Sequence, residues 1–224
     1  MNIREEITKI KNIIPSNVKL VAVSKTKPIE DIMEAYEAGQ RDFGENKVQE
    51  LLEKENSLPK DIRWHLIGKL QTNKVKYIVG KVSLIHSLSS IKLLNKIEKE
   101  YSKKDMIAHT LIQINIGREE SKSGILLEEL NELIGAIELC NHCKVKGIMT
   151  IIPKGTDDEN RYYFKEVKKI YDNLKEKQFK NISMDVLSMG MSNDYKIAIE
   201  EGSNLIRIGQ GIFGKRVLGG NNNG

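Results

Sequence analysis

Lys25 is the first residue whose setting suggests chemistry. It directly follows the apolar run Val21-Ala22-Val23-Ser24. A lysine at the end of a buried strand has its amine beside apolar walls. Desolvation there disfavours the ammonium and leaves more free amine, the form that attacks an aldehyde to give an imine. The same position also suits a lysine that simply snorkels to water. A second signal lies near the other end of the chain. Arg207-Ile208-Gly209-Gln210-Gly211-Ile212-Phe213-Gly214 sets two glycines between a strand and a short helical turn. Glycine permits close backbone approach, and the N–H groups of a helix start bind phosphate. Ser188-Met189-Gly190-Met191-Ser192 is a similar turn one strand earlier. An imine-forming lysine opposite two such turns points to bound pyridoxal phosphate or to a Schiff-base aldolase acting on a sugar phosphate.

These residues need a frame that brings both ends of the chain together. Apolar runs predict strands at 20–23, 42–44, 64–67, 84–86, 110–114, 145–150, 184–187 and 205–208. Helix-period stretches separate them. An extra helix opens the chain over 2–14, with Ile3, Ile7, Ile10 and Ile14 on one face and Pro15 stopping it. Gly39 suits the C-terminal cap of the next helix, and Ser192 suits the N-cap of a helix ending at Gly202. Short helical turns are expected over 71–79, and a long helix starts near Asp157. Alternation of this kind implies parallel βαβ units. Eight units share 224 residues, which is compact but feasible for an eight-fold barrel of at least about 200 residues. A doubly wound sheet should carry a glycine-rich fingerprint after its first strand, and Ser24-Lys25-Thr26-Lys27-Pro28 stands there instead. The reading is a single (β/α)8 TIM-type barrel over 1–217 with an extra N-terminal helix. A disordered tail is expected over 218–224.

In such a barrel, active sites sit at the C-terminal ends of the strands. Those ends supply Lys25, Asn46, His65 with Gly68, His86 with Ser87, Asn115, Met149, Ser188 and Gly209. The loop Ser121-Lys122-Ser123-Gly124 falls at the same mouth and is a candidate gate or an ordinary exposed loop.

Composition removes other classes. The hydrophobic fraction is 39% and the charged fraction 30%, enough apolar surface for a core. No run of apolar residues is long enough to predict a transmembrane helix. The charged start Met1-Asn2-Ile3-Arg4-Glu5-Glu6 lacks an apolar signal region, so a cytoplasmic location is expected. The net charge of +5 comes from scattered lysines without interleaved aromatics, which does not read as a nucleic-acid face. Cys140-Asn141-His142-Cys143 is too few ligands for a structural zinc site, and two cysteines make no disulfide scaffold. No metal is expected.

Several segments taken together resemble the pyridoxal phosphate homeostasis proteins, which are related to the barrel domain of alanine racemase. They are Val21 to Pro28, Phe43-Gly44-Glu45-Asn46, Trp64 to Lys74, Ile85-His86-Ser87-Leu88, Lys146 to Thr150, Leu187 to Ser192 with Asp194, and Arg207-Ile208-Gly209 with Ile212-Phe213-Gly214. The resemblance covers about residues 2–217. It implies that Lys25 holds pyridoxal phosphate as a lysine aldimine and that Arg207 faces the pyridine nitrogen. It places the phosphate at Ser192, Gly209 and Gln210, and a pocket wall at Asn46, His86, Met149 and Ser188. Many relatives carry Thr at position 210, so here a backbone contact to phosphate would survive and a hydroxyl contact would not.

The resemblance further implies intracellular cofactor homeostasis, with transient contact to apo-enzymes that receive pyridoxal phosphate. The chain is expected to be a monomer and not an enzyme. A ring nitrogen facing an arginine stays neutral, which makes the cofactor a weak electron sink. A racemase also needs a second base on the opposite face, which alanine racemases take from a further domain, and this chain ends just after its eighth strand. Two alternatives remain: an amino-acid racemase with the same cofactor, and the cofactor-free aldolase.

Overall fold

The computed structural model describes residues 2–214. The expected tail over 218–224 lies outside the described residues. Eight parallel strands close into one barrel in chain order. They are β1 (Lys19–Val23), β2 (Asp42–Glu45), β3 (Arg63–Leu66), β4 (Leu84–Leu88), β5 (Ala108–Ile114), β6 (Cys143–Thr150), β7 (Ile182–Ser188) and β8 (Leu205–Ile208). The eight-stranded TIM-type architecture is the one expected. Closure comes from β1 against β8, where Lys19, Leu20, Val21 and Ala22 pair with Leu205, Ile206, Arg207 and Ile208.

The extra helix α1 (Ile3–Ile13) buries Ile3, Ile7 and Ile10, each worth about 1.5–3 kcal/mol of burial. Asn2 caps it by accepting the Glu5 N–H at 3.2 Å. The connecting helices are α2 (Ile29–Glu37), α3 (Val48–Ser57), α4 (Val75–Ile78), α5 (Ile91–Ser102), α6 (Leu130–Glu138), α7 (Asp157–Lys175), α8 (Tyr195–Glu200) and α9 (Gln210–Phe213). Thr156 and Glu159 form a capping box at the start of α7. The helical stretch expected over 71–79 divides into a 3-10 turn, Thr72–Lys74, and the single turn of α4. Ser192 does not cap α8, contrary to the expectation. Asp194 occupies the cap position, and the Ser192 hydroxyl instead accepts the Gly211 N–H at 3.3 Å.

Successive strand residues point to opposite faces, and this parity builds the site. Ile206 and Ile208 pack outward against the helices, while Leu205 joins Val21, Leu84, Leu111 and Met149 in a small core inside the barrel. Arg207 has the inward parity of Leu205, and Lys25 continues the parity of Val21. Ladder pairing shifts register between β6 and β7 around Gly147. Its φ is +149°, and a Cβ there would stand 1.7 Å from the Val186 carbonyl oxygen, so only glycine fits. β7 and β8 share the ladder pair Ser188↔Leu205, and backbone bonds continue past it, from the Met189 N–H to the Leu205 carbonyl at 3.2 Å and from the Arg207 N–H to the Gly190 carbonyl at 3.0 Å. Just before that pair, side chains join the two strands: Asn204 accepts the Leu187 N–H at 2.7 Å, and Ser203 Oγ lies within 3.1 Å of three backbone carbonyls. The Gly190 and Gly209 turns follow the C-terminal ends of β7 and β8.

Candidate functional site

A cavity of about 760 Å³ opens at the C-terminal ends of the strands. Lys25, Asn46, Ser192, Arg207, Gly209 and Gln210 all line it, so six of the residues singled out from the sequence converge on one space. Lys25 is half-buried and comes from the turn after β1. Arg207 is 3% exposed and comes from β8. The Ser192–Gly211 bond ties the turn after β7 to the start of α9.

His86, Met149 and Ser188 are not among the lining residues; all three are fully buried. Met149 packs in the inner core. Ser188 is bonded to Arg207, and His86 to Ser188. One guanidinium nitrogen of Arg207 donates to Ser188 Oγ, and the other donates to the Thr150 carbonyl at 2.8 Å. Ser188 Oγ lies 3.1 Å from His86 Nδ1, His86 Nε2 lies 2.9 Å from His65 Nδ1, and His65 Nε2 lies 3.0 Å from Asp42 Oδ1. Arg63 grips the same carboxylate with two nitrogens, at 2.8 and 2.5 Å.

The donors in this line can be ordered from the carboxylate, which only accepts. With both rings neutral, His65 Nε2–H donates to Asp42, His65 Nδ1 accepts from His86 Nε2–H, and His86 Nδ1 accepts the Ser188 proton, while Ser188 Oγ accepts from Arg207. All four bonds run from cation to carboxylate. Burial, reinforced by the nearby His65 and Arg207, holds His86 well below the ordinary imidazole range. Burial would raise the Asp42 carboxyl, but hydrogen bonds from His65 and Arg63 hold it well below the usual carboxylate range. Burial pushes the Arg207 guanidinium down to about 10, against the opposing charge of Asp194.

The loop over 121–124 lies at the cavity mouth, as expected, and is anchored there by its own bonds. Lys122 and Ser123 line the cavity. Lys122 donates to the Ile152 carbonyl at 3.1 Å and pairs with Glu119 at 2.5 Å, and Gln113 donates to Ser123 O at 3.0 Å. Lys69, Lys154, Asn160 and Asp194 also line the mouth and carried no signal beyond polarity, although Lys69 and Asp194 fall within the quoted motifs. Cys140 and Cys143 are buried free thiols, raised by burial to about 11 and about 12. Among the described residues, no group of three or more His, Cys, Asp or Glu is arranged to hold a metal ion, and no helix is long and apolar enough to cross a membrane.

The donor set matches the groups of pyridoxal phosphate. Lys25 presents an amine. Arg207 has five N–H donors, lines the cavity and, among the described residues, bonds Ser188 and a backbone carbonyl and no carboxylate, so it suits an uncharged acceptor such as a pyridine nitrogen. The Gly209-Gln210-Gly211 turn lets backbone approach an anion closely.

The family model for the N-terminal domain of alanine racemase matches residues 1–217. A pyridoxal phosphate homeostasis protein from Aquifex aeolicus (strain VF5) is 46% identical over 201 residues, which is 88% of this chain and 87% of that one. The chain belongs to the pyridoxal phosphate homeostasis family of alanine racemase-like barrels. Another member of this homeostasis family, from Schizosaccharomyces pombe (strain 972 / ATCC 24843), is 38% identical over 206 residues, covering 89% of this chain and 85% of its own. PipY of Synechococcus elongatus PCC7942, solved with pyridoxal phosphate bound, superposes with a TM-score of 0.87 at 33% identity, over 95% of this chain and 100% of PipY. An alanine racemase from Clostridium difficile 630 shares the fold at 16% identity and a TM-score of 0.79; the match covers 96% of this chain and 57% of the racemase.

Proposed function

We propose that this homeostasis-family chain binds pyridoxal 5'-phosphate at Lys25, holds it and passes it to apo-enzymes. One observation carries the reading: Lys25, the buried Arg207 and the Gly209-Gln210 turn line a single cavity. The names of the relatives and the ligand of PipY support it. When bound, pyridoxal phosphate supplies an aldehyde carbon that one amine can hold and release to another. Lys25 is the amine on this chain. Arg207 donates toward the ring nitrogen, and its charge keeps a proton off that atom. Ser192, Gly209 and Gln210 hold the phosphate, with Gln210 contributing backbone. Asn46 forms a wall, and Met149 fills the core inside the barrel. Ser188 and His86 hold Arg207 in its orientation.

A carrier role, not steady amino-acid turnover, follows from Arg207. An unprotonated ring nitrogen withdraws electrons weakly, which suits safe storage more than carbanion chemistry. We read the protein as a cytoplasmic monomer whose cavity mouth, edged by the exposed Lys69 and Lys154, faces the acceptor enzyme.

Absorbance spectroscopy tests the site. Wild-type protein mixed with pyridoxal phosphate should show the visible band of a lysine-linked cofactor, and Lys25→Ala should lack it. Adding an apo-enzyme should then restore that enzyme's activity as the band decays. A band that persists in Lys25→Ala would sink the site. Turnover of D- or L-alanine at about 1 per second or faster would replace the carrier reading with a racemase.

A further inference from the structure

The turn that carries Lys25 is held by a buried ion cluster below it. Thr26 has φ +63°, a left-handed conformation that a β-branched residue rarely adopts. Its N–H donates to Glu50 Oε1 at 2.5 Å. On the other side of Lys25, the Ser24 hydroxyl donates to Glu45 Oε1 at 2.6 Å. The Lys54 ammonium joins the two carboxylates. It donates to Glu45 Oε1 at 2.8 Å, to Glu50 Oε1 at 2.7 Å and to the Ser24 carbonyl at 2.8 Å, so all three of its N–H groups are used. The Lys54 side chain is 7% exposed and that of Glu45 0%. Lys27, at the end of the turn, donates to the Phe213 carbonyl at 2.6 Å and ties the turn to α9.

Buried charges are costly to desolvate, and an apolar replacement often serves stability as well. A cluster whose bonds fall on the backbone and side chains of Ser24 and Thr26 therefore calls for a role in geometry. We propose that Glu50 and Lys54, anchored by Glu45, are positioning residues for Lys25: they hold its turn left-handed at Thr26 and so aim the amine into the cavity. Glu50 and Lys54 stand four residues apart on α3, and Glu45 ends β2, so the clamp connects the barrel, its first helical layer and the reactive turn. This inference rests on the reading of Lys25 given above.

Glycine adopts φ +63° without cost, and this supplies the test. Stopped-flow absorbance would measure capture of pyridoxal phosphate by wild type, Glu50→Ala, Glu50→Gln and the double variant Glu50→Ala/Thr26→Gly. Loss of the clamp should slow capture by about 10- to 100-fold, the scale of an angstrom-level misplacement. Glu50→Gln keeps an acceptor for the Thr26 N–H and should lie between Glu50→Ala and wild type. The double variant should return to within about threefold of wild type, because the turn no longer needs holding at Thr26. Melting temperatures of Glu50→Ala and the double variant would show whether the rate follows fold stability instead. Wild-type capture in Glu50→Ala, or no recovery in the folded double variant, overturns the clamp. A readout without cofactor separates this from failure of the binding site. Lys25 acylation by an amine-reactive ester, mapped by mass spectrometry against Lys69, should change in Glu50→Ala and recover in the double variant. An unchanged Lys25 rate would overturn the clamp even if pyridoxal phosphate never bound, whereas a missing cofactor band with normal acylation behaviour would count against the binding site alone.

Discussion

His65 Nδ1 lies 2.9 Å from His86 Nε2 inside the barrel, and the two rings connect a carboxylate at the start of β2 to the arginine on the cavity floor. Two adjacent buried imidazoles are compatible only if one donates and the other accepts. The Asp42 carboxylate, which only accepts, sets the direction, and each group in the line has a partner. Arg207 is thus fixed from beneath by a row of hydrogen bonds ending at a carboxylate, and its side chain lines the cavity.

Ser188 is the link both sides depend on. Ser188→Ala removes the acceptor of an Arg207 N–H and the donor to His86 Nδ1, leaving buried polar atoms unpaired. The expected cost is about 1–3 kcal/mol of folding stability, measured by urea denaturation at neutral pH. Pyridoxal phosphate affinity should fall with it, since Arg207 loses its orientation. A variant as stable as wild type would show that the line does not hold Arg207.

The line should also make the fold acid-sensitive. His86 is held low in the folded state, so the unfolded chain takes up a proton that the native protein refuses. Its contribution is complete above the unfolded value of about 6.5 and is lost as pH falls below it, at up to about 1.4 kcal/mol per pH unit. Asp42, also held low, contributes fully above its unfolded value of about 3.9 and loses that contribution at lower pH. Urea midpoints measured from pH 7.5 to 4.5 should therefore fall with pH. His86→Gln should be less stable at neutral pH but show a flatter slope below about pH 6.5. An equal slope in the variant would remove His86 as the cause.

Gly147 tests the barrel geometry independently of any ligand. Gly147→Ala must move the β7 backbone at Val186, because the added Cβ would meet a carbonyl oxygen at 1.7 Å. The expected loss is about 3 kcal/mol or more, seen as a lowered melting temperature. Unchanged melting would mean that the register shift between β6 and β7 is not built around this glycine.

Much of this arrangement was legible in the chain itself. Continuous apolar runs and helix-period stretches located all eight strands and most helices, because barrel strands are buried on both faces and helices on one. Short elements were less clear: the 71–79 stretch splits into two turns, and Ser192 leaves α8 to bond across to Gly211. Position at a strand end pointed to Lys25, Asn46 and Gly209, and the family resemblance added Ser192, Arg207 and Gln210; all six line one cavity, whereas His86, Met149 and Ser188 lie buried behind it.

What the residues alone determine is which groups are available and at which strand ends they stand, since parity and strand length are local properties of the chain. What tertiary structure decides is who touches whom. His86 and Ser188 are separated by 102 positions and bond beneath Arg207 only because β4 and β7 face each other across a closed barrel. Glu50 and Lys54 carry no local signal that sets them apart from other helix charges, yet α3 brings them to the Lys25 turn. Hydrogen bonds of this kind depend on distances of a few ångströms between elements remote in sequence, and closure of the barrel is the physical event that sets those distances.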